Sequence, residues 1–167
     1  MRTISLIVAT AGCMLLAAAP AGAEGDADPL APLKPLVGRW QGISSSGRRL
    51  DISYRLIAND SVLVETWRSP SGRETMTVYH RDGARLLATH YCAQGNQPRL
   101  RLTRTERSGR MHFAFADATN LPSQASSHLH DFWIEPIDAQ TLKRSETYRE
   151  NGVAEEESAL LTRNPAP

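Results

Sequence analysis

The sequence predicts an all-β protein: an antiparallel up-and-down β-barrel of about ten strands with a short N-terminal capping helix. Two patterns support this fold class. Apolar and polar residues alternate with a period of two through many short segments, as they do in strands with one buried face. Turn-forming residues separate these segments at intervals of about 8 to 12 residues, which is typical of sandwiches and barrels, and consecutive hairpins favour an up-and-down barrel.

The first 23 residues have the composition of a secretory signal peptide. Arg2 precedes an apolar run at 4–19, and small residues at Ala21 and Ala23 form a cleavage site. The apolar run is shorter than the roughly 20 residues that a membrane-spanning helix needs. We therefore expect cleavage before Glu24, a periplasmic or secreted protein, and no membrane span after processing.

Charge and cysteine content narrow the function classes. The chain has 19 basic and 18 acidic residues, and Arg2 is the only charged residue in the predicted signal peptide, so the mature chain is balanced. A neutral chain has no long-range attraction for nucleic acid. Its length suits one domain, predicted at 24–163, with a disordered tail at 164–167. Cys13 leaves with the signal peptide, so Cys92 has no intramolecular disulfide partner.

The predicted capping helix lies between Asp28 and Val37. Leu30, Leu33 and Leu36 fit one helical face, and the prolines among them keep the helix short. We expect this segment to plug one end of the barrel.

Ten strands are predicted from Arg39 onward. The pairs Asp82-Gly83 and Asn151-Gly152 mark hairpin turns, because glycine tolerates the positive φ of a tight turn. After the first strand, the others are predicted at residues 49–57, 61–68, 74–80, 85–92, 99–106, 110–117, 128–137, 141–150 and 153–162.

Several reactive side chains share a face with apolar residues. A barrel sends alternate residues inward, so the apolar face of a strand predicts its inward side. His90 and Cys92, for example, alternate with Leu86 and Ala88. Each polar group buried in this way needs a partner. By this criterion, five side chains are expected inside the barrel: His80, His90, Cys92, His128 and His130.

Three further polar residues are candidates for ligand contacts. Glu65 lies on a strand with apolar residues on both faces, so its direction is left open. Asn96 and Arg99 follow Gly95 in a polar connection. An amide and a guanidinium there can bind a carboxylate, or they can staple a neighbouring loop such as 118–120.

Several strings in the chain resemble a known family. They are LKPLVGRW at 33–40, MTVYH at 76–80 with Asp82-Gly83, HYC at 90–92 with GNQPR at 95–99, and DATNL at 117–121 with HLH at 128–130. Together they resemble a group of uncharacterised exported bacterial proteins of lipocalin-like, calycin type. The resemblance covers most of the mature chain and implies a barrel with a cavity. It implies no assigned reaction.

These observations predict a barrel that binds a small, mostly apolar ligand. Two alternatives stay open. A metal- or haem-binding protein or an enzyme is possible, because imidazole and thiolate are good ligands for Zn, Cu and Fe. A barrel filled by its own side chains could instead act through its surface. The sequence specifies no cofactor, reaction or oligomeric state. The predicted ligand contacts are His80, His90, Cys92, His128, His130, Asn96, Arg99 and Glu65, and the alternative metal ligands are His90, Cys92, His128 and His130.

Overall fold

A computed structural model describes residues 27–165 as a closed antiparallel β-barrel with almost no helix. The predicted signal peptide at 1–23, its cleavage site before Glu24 and the last two residues of the predicted tail lie outside the described residues. Within the described range, no helix has the length and hydrophobicity that a membrane span requires.

Ten strands follow one another around the barrel. Each strand is antiparallel to its sequence neighbours, and β1 pairs with β10 to close the barrel, which confirms the predicted number and order. The strands are β1 Gly38–Ser44, β2 Arg49–Ile57, β3 Val62–Arg68, β4 Glu74–Asp82, β5 Arg85–Tyr91, β6 Gln97–Thr105, β7 Met111–Thr119, β8 His128–Pro136, β9 Thr141–Glu150 and β10 Val153–Arg163.

The segment before β1 forms a short 3₁₀ helix, Ala31–Leu36, with Pro35 inside it. Proline donates no backbone hydrogen bond, which keeps such a helix short. Trp40 donates its indole N–H to the carbonyl oxygen of Leu36 at 2.8 Å. Arg163, at the end of β10, donates to the carbonyl of Pro35 at 2.7 Å and lies 4.3 Å from the Trp40 ring centre. The first strand, β1, and the last strand, β10, therefore hold this segment in place.

The middle of the barrel is filled by aromatic side chains. Phe113 and Phe132 stack with ring centres 4.6 Å apart, and Tyr79 meets both edge-on at 5.8 and 6.1 Å. Edge-on and offset contacts are the favoured arrangements of aromatic rings. Leucines of the 3₁₀ helix join the same buried cluster. The half of the barrel next to the 3₁₀ helix is therefore a packed core.

The turn at Asn151-Gly152 is confirmed by its backbone angles, whereas the first turn is Gly83-Ala84, one residue later than predicted, because Asp82 still pairs with Arg85. Gly83 has a φ of 60°, and Asn151 and Gly152 have φ values of 51° and 80°. Two consecutive residues with positive φ are what a type I′ turn requires. These turns set the register of β4 with β5 and of β9 with β10.

Candidate functional site

The end of the barrel away from the 3₁₀ helix opens into a cleft of about 830 Å³. This volume falls within the range of roughly 300 to 1,000 Å³ that small-molecule sites occupy. The barrel interior contributes Trp67, Cys92, Glu146 and Tyr148 to its walls. The rest of the wall comes from the loops before β2 and β4, from the starts of β2 and β10, and from the connections that hold Gln94 and Ser127.

A buried ion pair lies beneath the cleft. Glu65 on β3 and Arg144 on β9 are almost completely buried, and Arg144 Nη1 donates to Glu65 Oε1 at 2.6 Å. Arg144 Nη2 donates to Glu146 Oε1 at 2.7 Å. The guanidinium of Arg144 also covers the Trp67 ring at 4.2 Å. One cation therefore serves two carboxylates in the barrel interior.

Glu65 is held by more donors than any other interior carboxylate of the described residues. Besides Arg144, Tyr79 donates its hydroxyl to Oε2 at 2.6 Å, and the Trp67 indole N–H donates to Oε1. Burial raises the pKa of Glu65, but the charge of Arg144 and these hydrogen bonds outweigh it and lower the pKa below its usual value. Glu65 is therefore ionised and fully engaged, and the direction that the sequence left open is inward.

Glu146 has the opposite electrostatic balance. It is only 8 % exposed, and burial raises its pKa although Arg144 acts against this. Its Oε1 accepts from Arg144, whereas Oε2 has no hydrogen-bond partner among residues 27–165. Because Glu146 lines the cleft, this free oxygen is available to a molecule bound there.

A row of contacting polar side chains around His90 connects the interior with the cleft wall. His90 is buried, with Nδ1 3.0 Å from Thr77 Oγ1 and Nε2 3.3 Å from the Tyr148 hydroxyl. Cys92 Sγ lies 4.0 Å from the same hydroxyl. Burial lowers the pKa of His90 to about 4, so its ring is neutral near pH 7. Burial also raises the pKa of Tyr148, and the charge of Glu146 adds to this.

The expectation that His80 points into the barrel is wrong. On β4, the buried inward positions are Thr77 and Tyr79, so His80 shares the outer face with Met76 and Val78. Both faces of this strand carry apolar residues. The presence of apolar neighbours therefore could not identify the inward side.

The expectation that His128 shares an inward face with Phe132 is wrong, because His128 lies opposite the exposed Arg149, whereas His130 stands at a register shift and has no partner on β9. Phe132 does point inward, but the pairing of β8 with β9 shifts register between Leu129 and Asp131. Leu129 consequently takes the inward position opposite Tyr148. The two histidines instead form a separate cluster with Phe115, in which all three rings are within 5.8 Å of one another.

The polar connection after Gly95 is held by stapling contacts. Asn96 is buried and donates Nδ2 to the carbonyl of Ser127 at 2.9 Å. Arg99 is exposed and pairs with Asp117. Neither residue bonds the loop at 118–120; that contact comes from Gln97, whose Oε1 accepts from two residues of that loop.

The four predicted metal ligands are not brought together. His90 and Cys92 are linked through Tyr148, while His128 and His130 belong to the Phe115 cluster. Among residues 27–165, no group of three or more His, Cys, Asp or Glu side chains is arranged to hold a metal ion.

Sequence reasoning missed the polar residues of β9. Arg144, Glu146 and Tyr148 all point inward, on the same face as Leu142. A signal was present, because on this face of the predicted strand two opposite charges lie between Leu142 and Tyr148. This pattern indicates a buried ion pair when partners are supplied by other strands.

No family model matches this chain, and a search of curated proteins finds no relative. The function must therefore be argued from the geometry of the site itself.

Proposed function

We propose that this protein is an exported, lipocalin-like barrel that binds a small organic molecule in the cleft at its open end. One observation carries the proposal: Glu146 is more than nine-tenths buried, yet it presents an unpartnered carboxylate oxygen to a cleft of ligand size. This oxygen is not among the fully buried atoms that lack a partner, so it is open to the cleft. A ligand that donates a hydrogen bond to it would gain a contact for which no protein group competes.

The lining supports a ligand with both apolar and polar parts. Trp67, Leu50 and Tyr148 offer apolar and aromatic surface, and Glu146 offers the polar anchor. Ligand sites commonly combine such surface with a few placed polar groups. The core below the ion pair is filled, which favours a ligand bound at the open end of the barrel. The proposed ligand is therefore less apolar than a ligand that a barrel encloses completely.

Native mass spectrometry of protein purified from its own cells tests this proposal. We expect an adduct of a small organic molecule on a chain that starts at Glu24, and Glu146→Gln should weaken its retention by about tenfold, the order of one lost hydrogen bond to a charged group. Cys92 gives a second readout because it lines the cleft. The bound molecule should slow its alkylation by iodoacetamide.

Asp82→Asn is the matched control, because Asp82 is an exposed carboxylate at the other end of the barrel, paired with Arg85. It should retain the adduct and the slow alkylation. A barrel that carries no adduct and shows the same alkylation rate before and after exposure to a cell extract would favour the surface-acting alternative. A mass that retains residues 1–23 would contradict the proposed export.

A further inference from the structure

A second polar cluster lies beside the cleft and is not part of its lining. Among residues 27–165, three buried atoms in or next to it have no hydrogen-bond partner: Asn96 Oδ1, His128 Nε2 and His130 Nδ1. Most buried polar atoms in folded proteins have a partner, so a concentration of unpartnered ones needs an explanation. The two histidines form the cluster, and Asn96 lies next to it because its Nδ2 donates to the carbonyl of Ser127, the residue before His128.

The single hydrogen bond of His128 decides which of its ring nitrogens carries the hydrogen in the neutral form. Its Nδ1 lies 2.7 Å from the carbonyl oxygen of Ser126. A carbonyl oxygen only accepts, so Nδ1 carries the hydrogen, and Nε2 of the neutral ring is left with a free lone pair. Metal-bound histidines are commonly oriented in this way, with the other ring N–H donated to a backbone carbonyl.

The spacing of the two histidine rings fits a shared ion. Their centres are 5.6 Å apart and their planes are inclined by 70°. A Zn–N bond of about 2.0–2.1 Å puts each ring centre roughly 3 Å from the ion, so two rings on one ion have centres at most about 6 Å apart. Phe115 packs against both rings at 4.8 and 5.8 Å and so limits their movement.

The chain builds this cluster through a local irregularity. The register shift between Leu129 and Asp131 interrupts the alternation of β8 at His130. Such β-bulges re-aim side chains and are common next to functional sites. Without the shift, His128 and His130 would be ordinary neighbours on one face of a regular strand.

We propose that His128 Nε2 and His130 Nδ1 bind a divalent transition-metal ion that favours imidazole, Zn²⁺ or Cu²⁺, with water in the remaining positions. Imidazole is the ligand that both ions accept most readily from neutral side chains. The set has two imidazoles and no carboxylate or thiolate, so it agrees with the absence of any three-membered His, Cys, Asp or Glu group in the described part of the chain. The site is independent of the cleft ligand.

Isothermal titration calorimetry with zinc chloride tests this site on the mature, untagged chain at neutral pH. We expect one Zn²⁺ per chain, and at least tenfold weaker binding in both His128→Gln and His130→Gln. His80→Gln is the matched control, because it removes a histidine from the outer face of β4 and should leave the affinity unchanged. Circular dichroism confirms that each variant has kept the barrel.

A second measurement needs no variant and so survives a failure of His128→Gln to fold. Electron paramagnetic resonance of the unmutated chain with one equivalent of Cu²⁺ should show hyperfine coupling to two imidazole nitrogens. No binding of either ion, binding equal in all variants, or a Cu²⁺ spectrum without nitrogen coupling would each overturn the proposal. The cluster would then hold only buried water.

Discussion

Two polar clusters in the same barrel differ in how completely they are paired. In the first, around Arg144, the side chains of Glu65, Tyr79 and Trp67 satisfy one another by hydrogen bonds, with Arg144 Nε as the exception. In the second, His128 and His130 each leave one buried ring nitrogen without a partner. The Glu65 side of the first cluster is therefore satisfied within the protein, whereas the second cluster keeps buried ring nitrogens that a bound ion could use.

The difference has a structural origin. The partners of Arg144 come from β2, β3 and β9, so the barrel must close before the network can form. The histidine cluster depends mainly on one bulge in β8 and on its neighbour Phe115. Interior charges thus link strands that are distant in sequence. The bulge instead leaves ring nitrogens that no other group of the barrel uses.

Breaking the paired cluster should have the largest effect. Arg144→Met removes the cation and leaves Glu65 buried without its ion-pair partner. Removing one partner of a buried ion pair costs about 3 to 5 kcal/mol, because the remaining charge is uncompensated. Urea unfolding followed by circular dichroism measures the loss.

Arg68→Met is the control for that variant. Arg68 pairs with Glu74 on the surface, where both side chains are largely exposed, and a surface pair contributes at most about 1 kcal/mol. Equal losses in the two variants would show that Glu65 relaxes or becomes neutral when Arg144 is removed. The buried pair would then contribute no more to the free energy of unfolding than a surface pair does.

The next effect concerns pH and the buried His90. Its pKa is lowered from 6.5 to about 4 by burial, so the unfolded chain binds the proton more tightly than the folded one. The stabilisation is therefore complete above pH 6.5 and is lost as the pH falls towards 4. The full loss is about 3 kcal/mol, from 1.36 kcal/mol for each unit of pKa difference.

Urea unfolding of the wild type and His90→Gln between pH 7.5 and 4.5 measures this contribution. The wild type should lose more stability than His90→Gln over that interval. Glu146 acts in the opposite direction, because its raised pKa favours the folded state at lower pH, so only the difference between the two proteins isolates His90. Parallel curves would mean that His90 is protonated with similar ease in the folded state.

The fold was predictable because it depends on local patterns that repeat along the chain. Period-two alternation and turns such as Asn151-Gly152 identified ten strands, and the structure has ten. The site was harder to predict. Glu65 and Arg144 meet across 79 positions of sequence, and no local pattern specifies that contact.

The errors of inward and outward direction also have physical causes. His80 lies on a strand with apolar residues on both faces, so alternation gave no decision there. His128 precedes a bulge at His130, and one extra residue reverses the parity of the strand positions before it. The inward direction of His90 was predicted correctly because β5 alternates without interruption, and Cys92, just after this strand, lines the cleft.

The smallest change in the free energy of unfolding is expected at the unpaired cluster. This small change is the clearest difference from the paired cluster. Without metal, His130→Leu should change the free energy of unfolding by no more than about 1 kcal/mol, because it removes a ring nitrogen that makes no hydrogen bond and keeps an apolar contact with Phe115. With Zn²⁺ at a hundred times its dissociation constant, the wild type should gain about 2.7 kcal/mol and the variant much less.

Urea unfolding with and without zinc measures both values. A loss above about 2 kcal/mol in the absence of metal would mean that His130 is a structural residue, and the two clusters would then differ in geometry but not in role.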